Sequence, residues 1–323
     1  MSVIHLLDKK TIDKIAAGEV VDRPSSVIKE LCENAIDAGA TTITAELKAG
    51  GTRLIRVTDN GCGIARDDVK DAFCRHSTSK LSAIEDLLSI DTLGFRGEAL
   101  SSISAVARVT LLSKTKDAVV GVRYVTDGGN ELSFEDAGVP DGTTIMVENI
   151  FQNIPARLKF LKTAKTEESA CKNVFEHLAM SHPHIAFRLI TDGRVALDTT
   201  GSGKLIDIMY SLYGRDVSGH LLRIDDTDND MTLAGYVGDP GICRGNRHYE
   251  IYFVNGRYVN SEILTKAAEE AFKPYLMTRQ FPVAVLFLTL PGDLVDVNVH
   301  PAKARVRFSD EKAVYEFSCK IGR

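Results

Sequence analysis

The stretch PSSVIKELCENAIDAGATTITAELKAGGTRLIRVTDNGCGI, residues 24–64, decides the fold. Its first part reads as a helix from Pro24 to Ala38. Proline is tolerated in a first helical turn, and Gly39 is a stop signal. Ile43, Ala45 and Leu47 then alternate with polar residues, Gly50-Gly51 makes a turn, and a second strand runs from about Thr52 to Thr58. On the helix, Glu30, Glu33, Asn34 and Asp37 share about 100° of arc at about 100° per residue. Val27, Ile28, Leu31, Ala35 and Ala38 fill the adjoining apolar side. An acidic stripe is ordinarily a solvated face. This one contains no Lys or Arg, and like charges at i, i+3 and i+4 repel unless a cation or donor lies nearby. A hard cation such as Mg²⁺ would relieve them, since it takes one or two protein oxygens together with phosphates and water. Asn34 offers an amide oxygen for that purpose, which leaves Glu30 available as a base.

Further motifs lie outward from this stretch. Asp59-Asn60-Gly61-Cys62-Gly63-Ile64 follows the second strand. It could be a plain turn. Equally, Asp59 at a strand end can accept a hydrogen bond from an exocyclic amine. Gly61 and Gly63, lacking side chains, let backbone approach a flat ring. Arg75-His76-Ser77-Thr78-Ser79-Lys80 is small, polar and cationic. In Leu93-Gly94-Phe95-Arg96-Gly97-Glu98-Ala99-Leu100, Gly94 and Gly97 precede a helix expected from Glu98. Exposed N–H groups at that terminus suit phosphates, and residues 77–93 read as a lid. Lys303 lies on a Pro-initiated turn in Val297-Asn298-Val299-His300-Pro301-Ala302-Lys303. Two common nucleotide motifs fail. Gly201-Ser202-Gly203-Lys204 is followed by Leu205 rather than Ser or Thr, and Arg66 stands where a dinucleotide fingerprint needs its third glycine.

Elsewhere helices are expected near 65–75, 98–107 and 166–181, with strands at 107–113, 119–126, 143–149, 185–191 and 194–198. The polar, Gly-rich run 198–203 marks a boundary. A second unit follows, with helices at 204–213 and 261–273 and strands at 231–238, 249–255, 282–289 and 303–308. A length of 323 residues favours two domains, and 44% hydrophobic content excludes a mainly disordered chain. A net charge of −5 excludes a generally basic nucleic-acid binder. Any DNA contact needs a local patch, for which Arg244, Arg247, Arg257, Lys266, Lys273 and Arg279 are candidates. The six cysteines form no C-x-x-C pair and are expected as reduced, buried thiols. No signal peptide or membrane span is legible, so a cytoplasmic protein is expected.

Taken together, IAAGEVV (15–21), KELCENAIDAGA (29–40), DNGCGI (59–64), RHSTSK (75–80), GFRGEAL (94–100) and VNVHPAK (297–303) resemble the N-terminal ATPase region of MutL DNA mismatch-repair proteins. The likeness covers essentially the whole chain. GFRGEAL and IAAGEVV are specific to that family, whereas the acidic helix with D-x-G-x-G is shared with gyrase B subunits, heat-shock chaperones and sensor histidine kinases. The resemblance implies an α/β fold: a two-layer sandwich ATPase domain, residues 1–203, and a smaller ribosomal-protein-like βαβ transducer domain, residues 204–323. It implies ATP and Mg²⁺. Glu30 matches the general base, Asn34 the Mg²⁺ ligand, and Asp59 the reader of the adenine amine, with Gly61 and Gly63 beside the base. Thr78 and Lys80 match lid contacts, Arg96 and Gly97 the phosphate loop, and Thr143 or Thr144 the threonine under the nucleotide. Lys303 matches a lysine that reaches the γ-phosphate. Implied partners are a second copy of the chain, paired through the segment near residues 1–20 when ATP is bound, the mismatch-recognition protein MutS, DNA, and a downstream helicase or nuclease. The location is then nucleoid-associated in a bacterium or nuclear in a eukaryote. A topoisomerase-like or sensor-kinase-like enzyme, or a non-hydrolysing ATP-dependent scaffold, stands as the alternative. Nothing in the chain matches the family's C-terminal dimerisation region, so an excised fragment is expected.

Overall fold

A computed structural model describes residues 17–18, 20–75, 77, 97–228, 230–296 and 306–322. The chain divides into two compact units, Met1–Ala179 with Pro183–Gly203, and Met180–His182 with Lys204–Arg323.

In the first unit, α1 (Pro24–Asp37) leads into β1 (Thr42–Lys48) and β2 (Leu54–Asp59). A short α2 (Val69–Ala72) and α3 (Ala99–Val106) follow. Next come β3 (Arg108–Lys114), β4 (Gly121–Asp127), β5 (Asn130–Ala137) and β6 (Gly142–Glu148). The unit closes with α4 (Pro155–Phe160), α5 (Ala164–Ser181), β7 (Ala186–Thr191) and β8 (Arg194–Asp198). The strands form one mixed sheet in the order β5-β4-β3-β6-β2-β1-β7-β8. Side chains alternate across a strand, and here the alternation separates two layers. Ile43, Ala45, Leu47, Ile55, Val57, Ile145 and Val147 are buried, together with Val27, Ile28, Leu31 and Ala35 of α1. The other face of β1 and β2 carries Thr44, Glu46, Arg56 and Thr58, with Glu46 and Arg56 ion-paired. Each fully buried Val, Leu or Ile side chain among them contributes roughly 1.5–3 kcal/mol.

Several local expectations differ from this structure, and two are instructive. Residues 65–75 hold a 3₁₀ turn, Arg66–Asp68, and the four-residue α2 rather than one long helix. The edge strand β5 is absent from the sequence reading. Its residues are largely exposed and carry Glu131, Glu135 and Asp136, so no apolar alternation announces it. Charged edge strands resist pairing with other chains.

The second unit runs through α6 (Leu205–Tyr213), α7 (Arg215–Ser218), β9 (Leu221–Asp228) and β10 (Met231–Gly238). It continues with β11 (Glu250–Val254), β12 (Arg257–Val259), α8 (Glu262–Phe272) and β13 (Ala284–Thr289). A small ribbon of β14 (Val295–Asp296) and β15 (Arg307–Phe308) precedes α9 (Glu311–Ser318). The sheet order is β12-β11-β13-β10-β9, and β11 pairs parallel to β13, so α8 lies in a βαβ crossover. Tyr252, Val254, Leu264, Ala268, Phe272, Leu286 and Phe317 share its core. Ser261 caps α8 by accepting the N–H of Leu264, a contact typically worth about 1 kcal/mol.

One core group is at odds with its surroundings. Glu250 is 9% exposed, and neither of its carboxyl oxygens has a hydrogen-bond partner. Burial pushes its pKa up to about 8, the Glu269 charge adds to the shift, and Arg247 partly opposes it. An unfolded chain loses this proton near the ordinary value of 4.5, whereas the folded chain keeps it until about 8. The folded state therefore loses stability as pH rises from 4.5 through 8. Glu250→Gln removes that loss. Its melting temperature should match the parent near pH 4 and exceed it by several degrees at pH 8.5, a gain of roughly 1–3 kcal/mol. A difference in melting temperature that stays constant between the two pH values would contradict this account.

Of the six cysteines, only Cys32 and Cys171 are buried. Cys62 and Cys74 are exposed, so the expectation of uniformly buried thiols is corrected. Among the described residues, no helix is long and apolar enough to cross a membrane.

Candidate active site

The site begins at the C-terminal end of β2. Asp59 Oδ1 accepts the backbone N–H of Gly61 at 2.8 Å. Across the sheet Asp59 pairs with Thr143 of β6, whose backbone N–H also donates to the carboxylate. Desolvation raises the Asp59 pKa, and these two donors pull it back. A half-buried carboxylate held by backbone N–H groups is a fixed hydrogen-bond acceptor.

The two glycines of the turn have separate reasons to be there. A Cβ on Gly61 would lie 2.8 Å from Ala38 O and 3.0 Å from Asp59 Oδ1, so a side chain would fill the space beside the carboxylate. Gly63 has φ 73°, and a Cβ there would come within 2.3 Å of Lys114 O. The turn is tied to the end of α1 by the Cys62 N–H to Ala38 O bond of 3.0 Å. Thus the acidic helix and the Asp59 turn are joined directly.

On α1, Glu30 and Asn34 are half-buried. The stripe itself needs correction. Glu33 is only 6% exposed, and Lys29 Nζ lies 3.3 Å from it and 3.9 Å from Glu30. Lys29 stands four residues before Glu33, which puts the two on one helix face. The cation that relieves the crowded carboxylates is therefore present in the chain, one residue outside the stripe. This electrostatic argument no longer requires a metal. Among the described residues no group of three or more His, Cys, Asp or Glu is arranged to hold an ion. Magnesium carried in with a triphosphate needs only one or two protein oxygens, and the Asn34 amide is a donor of the right kind.

Thr143 and Thr144 were alternatives, and strand parity separates them. Thr143 pairs with Asp59 and is 9% exposed. Thr144 pairs with Thr58 on the opposite face, with a hydroxyl–hydroxyl contact of 3.0 Å. Gly97, at φ 59°, stands two residues before α3, whose N-cap is Glu98. Gly94, Arg96, Thr78, Lys80, Lys303 and most of the segment 1–20 lie outside the described residues. The structure sets Asp59, Gly61 and Thr143 side by side, ties their turn to the end of the helix that carries Lys29, Glu30 and Asn34, and adds Ser113 beside Thr143. Sequence reasoning passed over Ser113, although a hydroxyl at the inward position of Val109-Thr110-Leu111-Leu112-Ser113 was a usable signal.

The six basic candidates for DNA contact are mostly engaged. Arg247 forms a two-point pair with Glu269, at 2.5 and 3.2 Å. Lys273 lies 3.0 Å from Glu270 and Lys266 lies 3.9 Å from Glu262. Arg244 donates to Ile242 O and Cys243 O and sits over the Tyr249 ring.

A family model described as "Histidine kinase-, DNA gyrase B-, and HSP90-like ATPase" matches residues 22–136. A second, "DNA mismatch repair protein, C-terminal domain", matches residues 209–321. DNA mismatch repair protein MutL of Agathobacter rectalis is 55% identical over 319 residues, covering 99% of this chain and 49% of that protein. The Clostridium tetani MutL is 44% identical over 98% of this chain and 51% of its own length. Among solved structures, one described as the N-terminal domain of a DNA repair protein superposes with a TM-score of 0.82 at 28% identity, covering 96% of both chains. The Aquifex aeolicus MutL ATPase domain complexed with ADP gives a TM-score of 0.66 at 26% identity, over 93% of this chain and 98% of that one. The chain spans about half the length of the curated relatives it matches. With an ATPase-type match on its first unit, a mismatch-repair match on its second and MutL relatives along almost all of it, the chain belongs to the MutL family of DNA mismatch-repair proteins.

Proposed function

We propose that this chain binds and hydrolyses ATP with Mg²⁺, and that nucleotide state controls its pairing with a second copy. The observation that carries the reading is the half-buried acceptor Asp59, fixed by two backbone N–H groups and flanked by side-chain-free Gly61. That arrangement suits the amine edge of a base. Glu30, on the adjoining helix, orients the attacking water and takes its proton. Asn34 holds the cation, which when bound neutralises phosphate charge. N–H groups near Gly97 complete the phosphate site, in the way helix N-termini commonly do. Thr78, Lys80, Gly94, Arg96 and Lys303 keep the roles that the resemblance implies: lid, phosphate loop and γ-phosphate contact. In this reading residues 1–203 form the nucleotide unit and residues 204–323 the transducer.

The whole protein would then act as an ATP-gated clamp that couples mismatch recognition by MutS to a helicase or nuclease on DNA, in the cytoplasm of a bacterial cell. DNA contact through Arg247, Lys266 or Lys273 must draw them away from Glu269, Glu262 and Glu270, and because phosphate contacts release counterions, binding should fall steeply with salt.

Phosphate release measured with Mg²⁺ and with a chelator, alongside sizing with a non-hydrolysable ATP analogue, tests the proposal. Metal-dependent release together with dimers formed only with the analogue is the expected result. Binding without release would leave a non-hydrolysing scaffold, and failure to bind ATP would remove the proposal.

A further inference from the structure

Ser113 on β3 is 1% exposed, and its hydroxyl joins three segments at the proposed nucleotide site. Its oxygen lies 2.8 Å from Ile64 N, 3.0 Å from Gly142 O and 2.9 Å from Thr143 Oγ1. Ile64 ends the Asp59 turn, and Thr143 is the cross-strand partner of both Asp59 and Ser113.

The hydrogen atoms can be assigned by counting. A serine hydroxyl has one proton to give and two lone pairs to receive. The Ile64 N–H can only donate, so it occupies one lone pair. The Gly142 carbonyl can only accept, so it takes the serine proton. Thr143 must then donate its own proton to the remaining lone pair of Ser113. With that proton committed, the Thr143 oxygen has only acceptor capacity left. Thr143 is 9% exposed, which gives bulk water little access to reorient it. The Asp59 carboxyl beside it already accepts the Gly61 and Thr143 N–H groups, and in its ionised form it only accepts.

We infer that Ser113 is a positioning residue that sets base specificity by locking the Thr143 hydroxyl as an acceptor. The inference rests on the ATP-site reading above. This end of the site then presents acceptors alone. A purine with an amino group at position 6 supplies the donor it needs. A 6-oxo purine presents a carbonyl oxygen to acceptors, and a buried polar group left without its partner is strongly disfavoured.

The test compares equilibrium binding of ATP and GTP to the whole chain. The parent should prefer ATP. In Ser113→Ala the Thr143 hydroxyl is released to turn and donate, so the ATP-over-GTP preference should fall about tenfold. A purely structural role would weaken both nucleotides equally, and that outcome overturns the inference. Thr143→Val is the second arm, since it removes the hydroxyl while leaving the Ser113 contacts to Ile64 and Gly142. It should reduce the preference as well, and an unchanged ratio there overturns the inference even if Ser113→Ala does not fold. A parent that binds neither nucleotide would instead defeat the ATP reading itself.

Discussion

A Glu30→Gln chain is expected to bind ATP within a few-fold of the parent and to release phosphate about 10²- to 10⁴-fold more slowly. The size of the effect follows from what glutamine keeps and what it removes. The Glu30 side chain is 26% exposed, and Lys29 at 3.9 Å is its one ion-pair or hydrogen-bond partner among the described residues. Glutamine fills the same volume and leaves α1 intact, so stability should stay within about 0.5 kcal/mol of the parent. What disappears is a group able to take a proton from water. Single-turnover phosphate release and calorimetric ATP binding separate the two properties. Hydrolysis within threefold of the parent would show that Glu30 is not the base. Loss of binding with normal melting would make it a ligand-holding residue instead.

Asp59→Asn carries the second large effect. The carboxylate already receives the N–H groups of Gly61 and Thr143. An amide has one oxygen for those donors and places its NH₂ where a further acceptor is required. Hydrogen bonds to charged groups contribute about 1.5–3 kcal/mol, so ATP affinity should drop roughly 10- to 100-fold. Inorganic triphosphate, which has no base, should bind the variant and the parent alike. An equal loss for both ligands would mean that Asp59 acts by holding the turn rather than by reading the base.

These two residues were legible because their signals are local. The helix stripe of Glu30 and Asn34 follows from 3.6-residue periodicity, and the Asp59 turn follows from a strand that ends in glycine-rich sequence. Lys29 was also in plain sequence, four residues from Glu33. Its role was missed because a stripe drawn on a helical wheel ends where the eye stops it, while a long lysine side chain reaches across that edge. β5 was missed for a different reason. An exposed edge strand buries almost nothing, so its sequence carries no alternation to read.

By itself, the sequence determined the order of parts: acidic helix, hairpin, Asp59 turn, glycine-flanked helix, and a second unit with strands before and after a helix. Each rests on contacts within a few residues, and such contacts are written in periodicity and turn chemistry. Only the tertiary structure decided which strands became neighbours. It set β6 beside both β2 and β3 and put Thr143 opposite Asp59 with Ser113 on its other side. A shift of one residue would have brought Thr144 there instead, because strand side chains change face at every step. The same long-range packing buried Glu250 without a hydrogen-bond partner. Proton positions at the site are of this kind too. They depend on three segments far apart in the chain meeting at one serine hydroxyl.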